Sequence, residues 1–213
     1  MLKLEKQHQN YLRRLGFLDS TINEQLYRSL PTSKTTRYIK RRLIANKLKN
    51  MYDLSGIPGF YQEEDWIWTF ASGEGFFVPL FDENNKIQAL SIHLDKEFNG
   101  TSDLWFSSAG KINGTGTKNW ISKNNIREDT KTVVITDSLL LGNFMKATLN
   151  IPVISFSSIA NSYQILKSID GTNIQNIIFT IRPGANQNLD YIIRRIFRDL
   201  LPLRIQFRSK ISK

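Results

Sequence analysis

The spacing of apolar residues divides the 213-residue chain into a helical beginning, a middle of period two and a closing alternation of strand and helix. Over residues 4–15, Leu4, Tyr11, Leu12 and Leu15 recur at helical spacing, and Gly16 follows as a stop. Asp19 or Ser20 is placed to cap a second helix in which Ile22, Leu26 and Leu30 share a face before Pro31 ends it. A third helix is predicted over residues 35–51. Its apolar positions Ile39, Leu43, Leu48 and Met51 are expected inward, with Arg37, Lys40, Arg41 and Lys47 on much of the opposite face.

Residues 55–60, SGIPGF, form a rigid turn: both glycines admit positive φ and the proline fixes its neighbour. Beyond it Trp66, Trp68 and Phe70 alternate on one face of an expected strand. Further strands are predicted at 76–80 and 87–94, joined by the polar hairpin DENNK at 82–86, with another short one at Trp105-Phe106. This reads as an antiparallel meander over 66–108. Residues 110–118, GKINGTGTK, hold three glycines and two lysines and allow a phosphate wrapped by backbone amides. They lack the Walker spacing and fit a solvent loop better, with Lys118 as an available cation.

From residue 131 strands are expected at 132–136, 153–156, 177–181 and 203–207, and helices at 139–149, 161–169 and 188–200. Such alternation implies a parallel sheet with right-handed crossovers. The expected class is therefore α/β with an α+β N-terminal part. Its divisions are a basic helical region at 1–54, a β-meander subdomain at 55–130 and an α/β domain at 131–213.

Composition adds partners to this outline. The formal net charge is +10, but it is uneven: residues 1–50 carry 12 Lys+Arg against 3 Asp+Glu, residues 51–130 carry 6 against 12, and residues 191–213 carry 7 against 1. Two basic ends around an acidic middle point to a polyanion such as nucleic acid. Arg194, Arg195 and Arg198 project from the last predicted helix, opposite its apolar face, and extend that track. The absence of cysteine excludes disulfides, thiolate zinc sites and thiol nucleophiles. No apolar run reaches the roughly 18 residues of a membrane span, and no signal sequence opens the chain, so a cytoplasmic protein is expected.

Few residues suggest chemistry. In KTVVITDSLLLGNF, Asp137 follows a buried-type strand and precedes a helix, the place where open α/β sheets bind ligands; the same position also suits a helix cap. Asp170 and Asp190 lie in a polar turn and a first helical turn and make poor companions for it. His8 and His93 have no ligand cluster near them in sequence and receive no catalytic role. Trp66, Trp68 and Trp105 can stack unpaired bases, although their strand spacing suits a core.

Two stretches together resemble a known family. The segment GFFVPLFDENNKIQALSIHLD followed by LWFSS resembles the basic subdomain of bacterial replicative primases, and VVITDSLLLGNF with IIFTIRPGAN resembles the two halves of a toprim fold. A primase-like domain of replication proteins from plasmids and integrative elements is closer still, with its N-terminal helices, a GxPGF element matched by Gly56 to Phe60, the meander and the toprim-like sheet. The resemblance implies a site of one acidic residue after the first strand and an Asp-x-Asp pair after a later one, which together hold Mg²⁺. Here Asp137 falls at the first position, while Thr180 and Arg182 fall at the Asp-x-Asp positions. An arginine repels the cation that a carboxylate binds.

The expectation is a non-catalytic, primase-like DNA-binding or replication-accessory protein of a mobile genetic element. Single-stranded or primer-template DNA is the preferred ligand, and a helicase or polymerase a possible protein partner. The phosphate-contacting set is Arg37, Lys40, Arg41, Lys47, Lys118, Arg182, Arg194, Arg195 and Arg198. No cofactor is expected. Two alternatives stand beside this: a Mg²⁺-dependent primase using Asp137 with unorthodox ligands, and a degenerate protein-interaction module.

Overall fold

The structure, a computed structural model, describes residues 2–82, 86–98, 101–118, 120–156, 162–181 and 206–211. It divides into two units, residues 1–15, 22–98 and 102–118 in one and residues 16–21, 99–101 and 119–213 in the other.

In the first unit, α1 (Lys6–Arg14) starts where the Glu5 carbonyl accepts the amides of His8 and Gln9, and buries His8 and Leu12. The second helix, α2 (Asp19–Glu24), is shorter than its apolar spacing predicts. Leu26 takes a positive φ of 55° and breaks the helix, and the chain continues as the short strand β1 (Arg28–Ser29). The break lets Tyr27 and Leu30 both be fully buried while Leu30 donates its amide to the Gly75 carbonyl at 2.8 Å. A continuous helix has no amide free for that bond.

The third helix, α3 (Lys34–Lys49), is capped by the Ser33 hydroxyl, which accepts the Thr36 amide. Its inner face is Ile44, Ala45 and Leu48, whereas Ile39 is 51% exposed, Leu43 65% exposed and Met51 exposed. The inward stripe is therefore rotated from the one expected. The helix carries two apolar stripes, and the one with the smaller residues sits against β3 (Trp68–Phe70) because Ala45 permits close approach.

β3 pairs antiparallel with β2 (Phe60–Gln62), in a sheet of their own. Trp66 lies outside the strand at φ 61° and is 68% exposed, so the expected Trp66-Trp68-Phe70 face begins only at Trp68. The meander strands are β4 (Gly75–Phe81), β5 (Ile87–Phe98) and β6 (Thr101–Trp105), in the sheet order β1-β4-β5-β6. Phe77 points to a core of Leu30, Ala45, Leu54, Trp68, Phe70, Ile92 and Phe106, and Phe76 points to the opposite face, toward α1.

The second unit holds β7 (Ile121–Asn124), β8 (Thr132–Thr136), α4 (Leu139–Leu149), β9 (Val153–Phe156), α5 (Ser162–Ile169), β10 (Asn176–Ile181) and β11 (Gln206–Ile211). The strand order is β11-β10-β8-β9-β7, with β8, β9, β10 and β11 parallel and β7 an antiparallel edge that the pattern did not predict. β11 runs further toward the C-terminus than the expected 203–207. The expected helix at 188–200 lies outside the described residues. On one face Val133, Ile135, Ile154, Phe156, Ile177 and Phe179 pack with Ile165 and Ile169 of α5. The alternate residues turn to the face that α4 covers. The mixed α/β class with antiparallel and parallel sheets is the one expected.

Candidate nucleic-acid interface and the carboxyl edge of the parallel sheet

Strand register assembles a polar row at the carboxyl edge of the parallel sheet. Ser122 on β7 pairs with Ser155 on β9, Ser155 with Thr136 on β8, and Thr136 with Thr180 on β10. Registered partners share a face, so hydroxyls from four strands line up. Small residues are required there because α4 crosses at Gly142, where an added Cβ lies 2.4 Å from Ser155 Oγ and 3.8 Å from Thr136 Cγ2. Among the described residues, Thr136 Oγ1, Ser155 Oγ and Asn143 Nδ2 are buried without a hydrogen-bond partner. Next to this row Ser138 caps α4, its Oγ accepting the Leu141 amide at 3.3 Å. Asp137, immediately before it, is 8% exposed.

Magnesium prefers a hard, largely anionic oxygen shell with room for waters. The described residues of this edge supply one mostly buried carboxylate amid neutral hydroxyls, with Thr180 where the toprim resemblance places an aspartate. The described residues alone do not make a multi-carboxylate magnesium centre. Arg182, Arg194, Arg195, Arg198 and Asp190 lie outside the described residues.

On α3 the expected basic face splits in two. Arg37 donates to the Pro31 and Thr32 carbonyls at 2.7 and 3.1 Å and to Glu74 at 3.3 Å. Arg41 donates to the Phe70 carbonyl at 2.7 Å and lies 3.9 Å from Glu63. Both side chains are largely withdrawn from water and serve carbonyls at a helix entry and a strand end, because α3 presents this side to β3. Arg42, which the sequence reading left out, binds Asp65 and the Tyr38 hydroxyl and lies over the Tyr38 ring at 5.2 Å. Their hydrogen bond raises the Arg42 pKa and lowers that of Asp65. Lys40 and Lys47 are exposed, on the same side as Ile39 and Leu43.

Lys118 is also exposed, at the end of the glycine-rich loop. That loop is tied at its base: Ser108 Oγ donates to the Phe60 carbonyl at 2.7 Å and accepts the Thr115 amide at 3.0 Å. Lys111 lies over the Tyr61 ring at 5.9 Å. Trp68 is buried in the core, and Trp66 is the exposed member of the tryptophans considered for stacking.

A second constellation was missed entirely. His8 and His93 flank the Phe76 ring, with centroids 5.1 and 5.2 Å away, beside a cavity of about 300 Å³ between α1 and β5. His8 Nδ1 lies 2.6 Å from Ser29 Oγ and its Nε2 2.8 Å from Asp95 Oδ1. His93 Nδ1 lies 2.9 Å from Asp103 Oδ1 and its Nε2 3.0 Å from the Tyr11 hydroxyl. The available signal was the helical spacing of His8 and Tyr11 together with the alternation of His93 and Asp95.

No family model matches the chain, and no curated protein matches its sequence. Among the described residues no helix is long and apolar enough to cross a membrane. Solved structures do match the fold. The Aquifex aeolicus primase, comprising zinc-binding and RNA polymerase domains, aligns with 98% of this chain at 8% identity and a TM-score of 0.61, covering 50% of that chain. A DnaG primase catalytic domain bound to single-stranded DNA aligns at 8% identity and a TM-score of 0.60, covering 66% of that chain. A DNA primase domain from Pseudomonas aeruginosa aligns at 12% identity and a TM-score of 0.59, covering 64% of that chain. This chain thus spans half to two thirds of these proteins, and along nearly its whole length it has the fold of a bacterial primase catalytic core.

Proposed function

We propose that the protein is a non-catalytic, primase-like DNA-binding or replication-accessory protein, of the kind carried by mobile genetic elements. The observation that carries this reading is the pairing of Thr180 with Thr136 at the carboxyl edge of a primase-type sheet. Neutral hydroxyls stand where a phosphoryl-transfer centre needs charge to hold Mg²⁺. Single-stranded DNA is the favoured ligand, since one protein of the same fold binds it. Lys40 and Lys47 meet its phosphates, with Lys118 and the arginines at 182, 194, 195 and 198 extending the contact. Arg37 and Arg41 act instead through the fold, by holding α3 to its own carbonyls.

The test is fluorescence anisotropy of labelled single- and double-stranded oligonucleotides across a salt series, with Mg²⁺ or with EDTA. Affinity falls steeply with salt and is indifferent to Mg²⁺. Lys40→Glu with Lys47→Glu flattens the log–log salt slope by about 1.4, roughly 0.7 for each single-strand phosphate contact. Salt-insensitive binding, or none, refutes this reading. Template-directed synthesis abolished by Asp137→Ala establishes the catalytic alternative. The exposed pair Ile39 and Leu43 favours a second reading, docking of a replication partner on α3, which predicts capture of a helicase or polymerase lost in Leu43→Glu.

A further inference from the structure

Two histidine–aspartate pairs stand beside one cavity, and they differ in what their second nitrogen meets. The His8 pair is closed. Ser29 Oγ accepts the Glu5 amide at 2.7 Å and lies 2.6 Å from His8 Nδ1, and His8 Nε2 lies 2.8 Å from Asp95 Oδ1. Ser29 is 2% exposed and so cannot meet a ligand. This pair holds α1 against the sheet.

The His93 pair opens to the cavity. Asp103 is buried, and a carboxylate only accepts, so Nδ1 of His93 carries a proton, and in the neutral ring Nε2 then presents a lone pair. That lone pair receives the hydroxyl of Tyr11, whose side chain lines the cavity and keeps some exposure. Nucleophile, base and orienting carboxylate within hydrogen-bond reach are the diagnostic arrangement of an activated hydroxyl. Arg14, exposed one turn further along α1, lines the same cavity and supplies planar donors for phosphate oxygens.

We propose a catalytic site apart from the sheet edge, so that the non-catalytic reading above holds for magnesium-dependent synthesis at that edge alone: Tyr11 is a nucleophile that accepts a phosphoryl group from a DNA phosphodiester, with His93 as its base and Asp103 as the residue that positions the base. The choice of DNA rests on the proposed function above. Tyr11 Oη bonds to phosphorus while its proton passes to His93 Nε2. The bond from phosphorus to the bridging oxygen opposite Tyr11 breaks, the departing alkoxide takes a proton from water on that side, and His93 returns its own to solvent. The products are a tyrosyl phosphodiester and a free hydroxyl end, with no change of oxidation state, and the reverse attack reseals the strand.

The experiment uses the full chain with thymidine 5′-(p-nitrophenyl) phosphate in one arm and a labelled single-stranded oligonucleotide in the other. The expected results are a stoichiometric burst of p-nitrophenolate, a thymidylyl adduct mapped to Tyr11 by peptide mass spectrometry, and an oligonucleotide–protein complex that survives denaturation. Tyr11→Phe, which keeps the ring packing, abolishes both adducts while leaving the circular dichroism unchanged. His93→Ala slows adduct formation by about 10²–10⁴-fold, and added imidazole restores part of it, which a structural histidine does not predict. No adduct from either probe, or an adduct that persists in Tyr11→Phe, overturns the proposal. An adduct with the mononucleotide ester alone overturns DNA as the substrate class. The mononucleotide arm needs no DNA-binding face, and anisotropy on the same protein reports separately on the proposed DNA binding.

Discussion

Gly56 and Gly59, three residues apart in the GIPGF turn, offer a matched comparison of backbone strain and steric exclusion. Both have positive φ, 79° and 89°. A Cβ added at Gly56 meets nothing within 4 Å, whereas one added at Gly59 lies 2.2, 2.3 and 2.5 Å from three atoms of the Phe106 ring. Ordinary carbon contacts are about 3.5–4.0 Å, so the ring must move by more than about 1 Å. It is held on three sides by Phe60, Phe70 and Phe77, at centroid distances of 5.6, 5.9 and 5.3 Å. Gly56→Ala therefore carries the backbone cost alone, about 1–2 kcal/mol. Gly59→Ala adds overpacking, about 1–3 kcal/mol more. Urea unfolding followed by tryptophan fluorescence measures both, since Trp66, Trp68 and Trp105 lie in the same unit as the turn. Equal destabilisation by the two substitutions refutes the reasoning, because it leaves Phe106 no part in excluding a side chain at Gly59.

Three further outcomes follow from local geometry and charge. Burial lowers the Lys146 pKa, so the folded state releases this proton before the unfolded state does. Wild-type stability then rises as pH climbs toward the ordinary lysine value of about 10.4, and Lys146→Met is more stable near neutral pH and loses that rise in pH-dependent urea titrations. Ser138→Ala removes the cap of α4 and costs about 1 kcal/mol in the same assay. Asp65 has its pKa lowered by Arg42, so whatever their pair contributes is present above the ordinary aspartate range and lost as pH falls below it; Asp65→Asn abolishes that pH dependence in thermal unfolding, with little change at pH 7 because the carboxylate is exposed and solvent screens the pair.

The sequence by itself determined the elements whose signals are local. The run Val133-Val134-Ile135, the polar turn and α4 stand where apolar spacing puts them, as do α3, β4 and β9, although the cap of α4 falls to Ser138 rather than to Asp137, the residue the sequence offers for it. Tertiary structure alone decided which stripe of α3 turns inward, because Ile39-Leu43 and Ile44-Leu48 are equally apolar and only the strand beneath distinguishes them. It likewise decided β1 and β7, short edge strands whose residues acquire a strand conformation from the partner they pair with. The carbonyls that occupy Arg37 and Arg41, and the meeting of Tyr11, His93 and Asp103, arise from segments far apart in the chain. Hydrophobic periodicity fixes which way a side chain faces within its own element. Which polar groups it then meets depends on how the elements pair, and that information is spread over the whole fold.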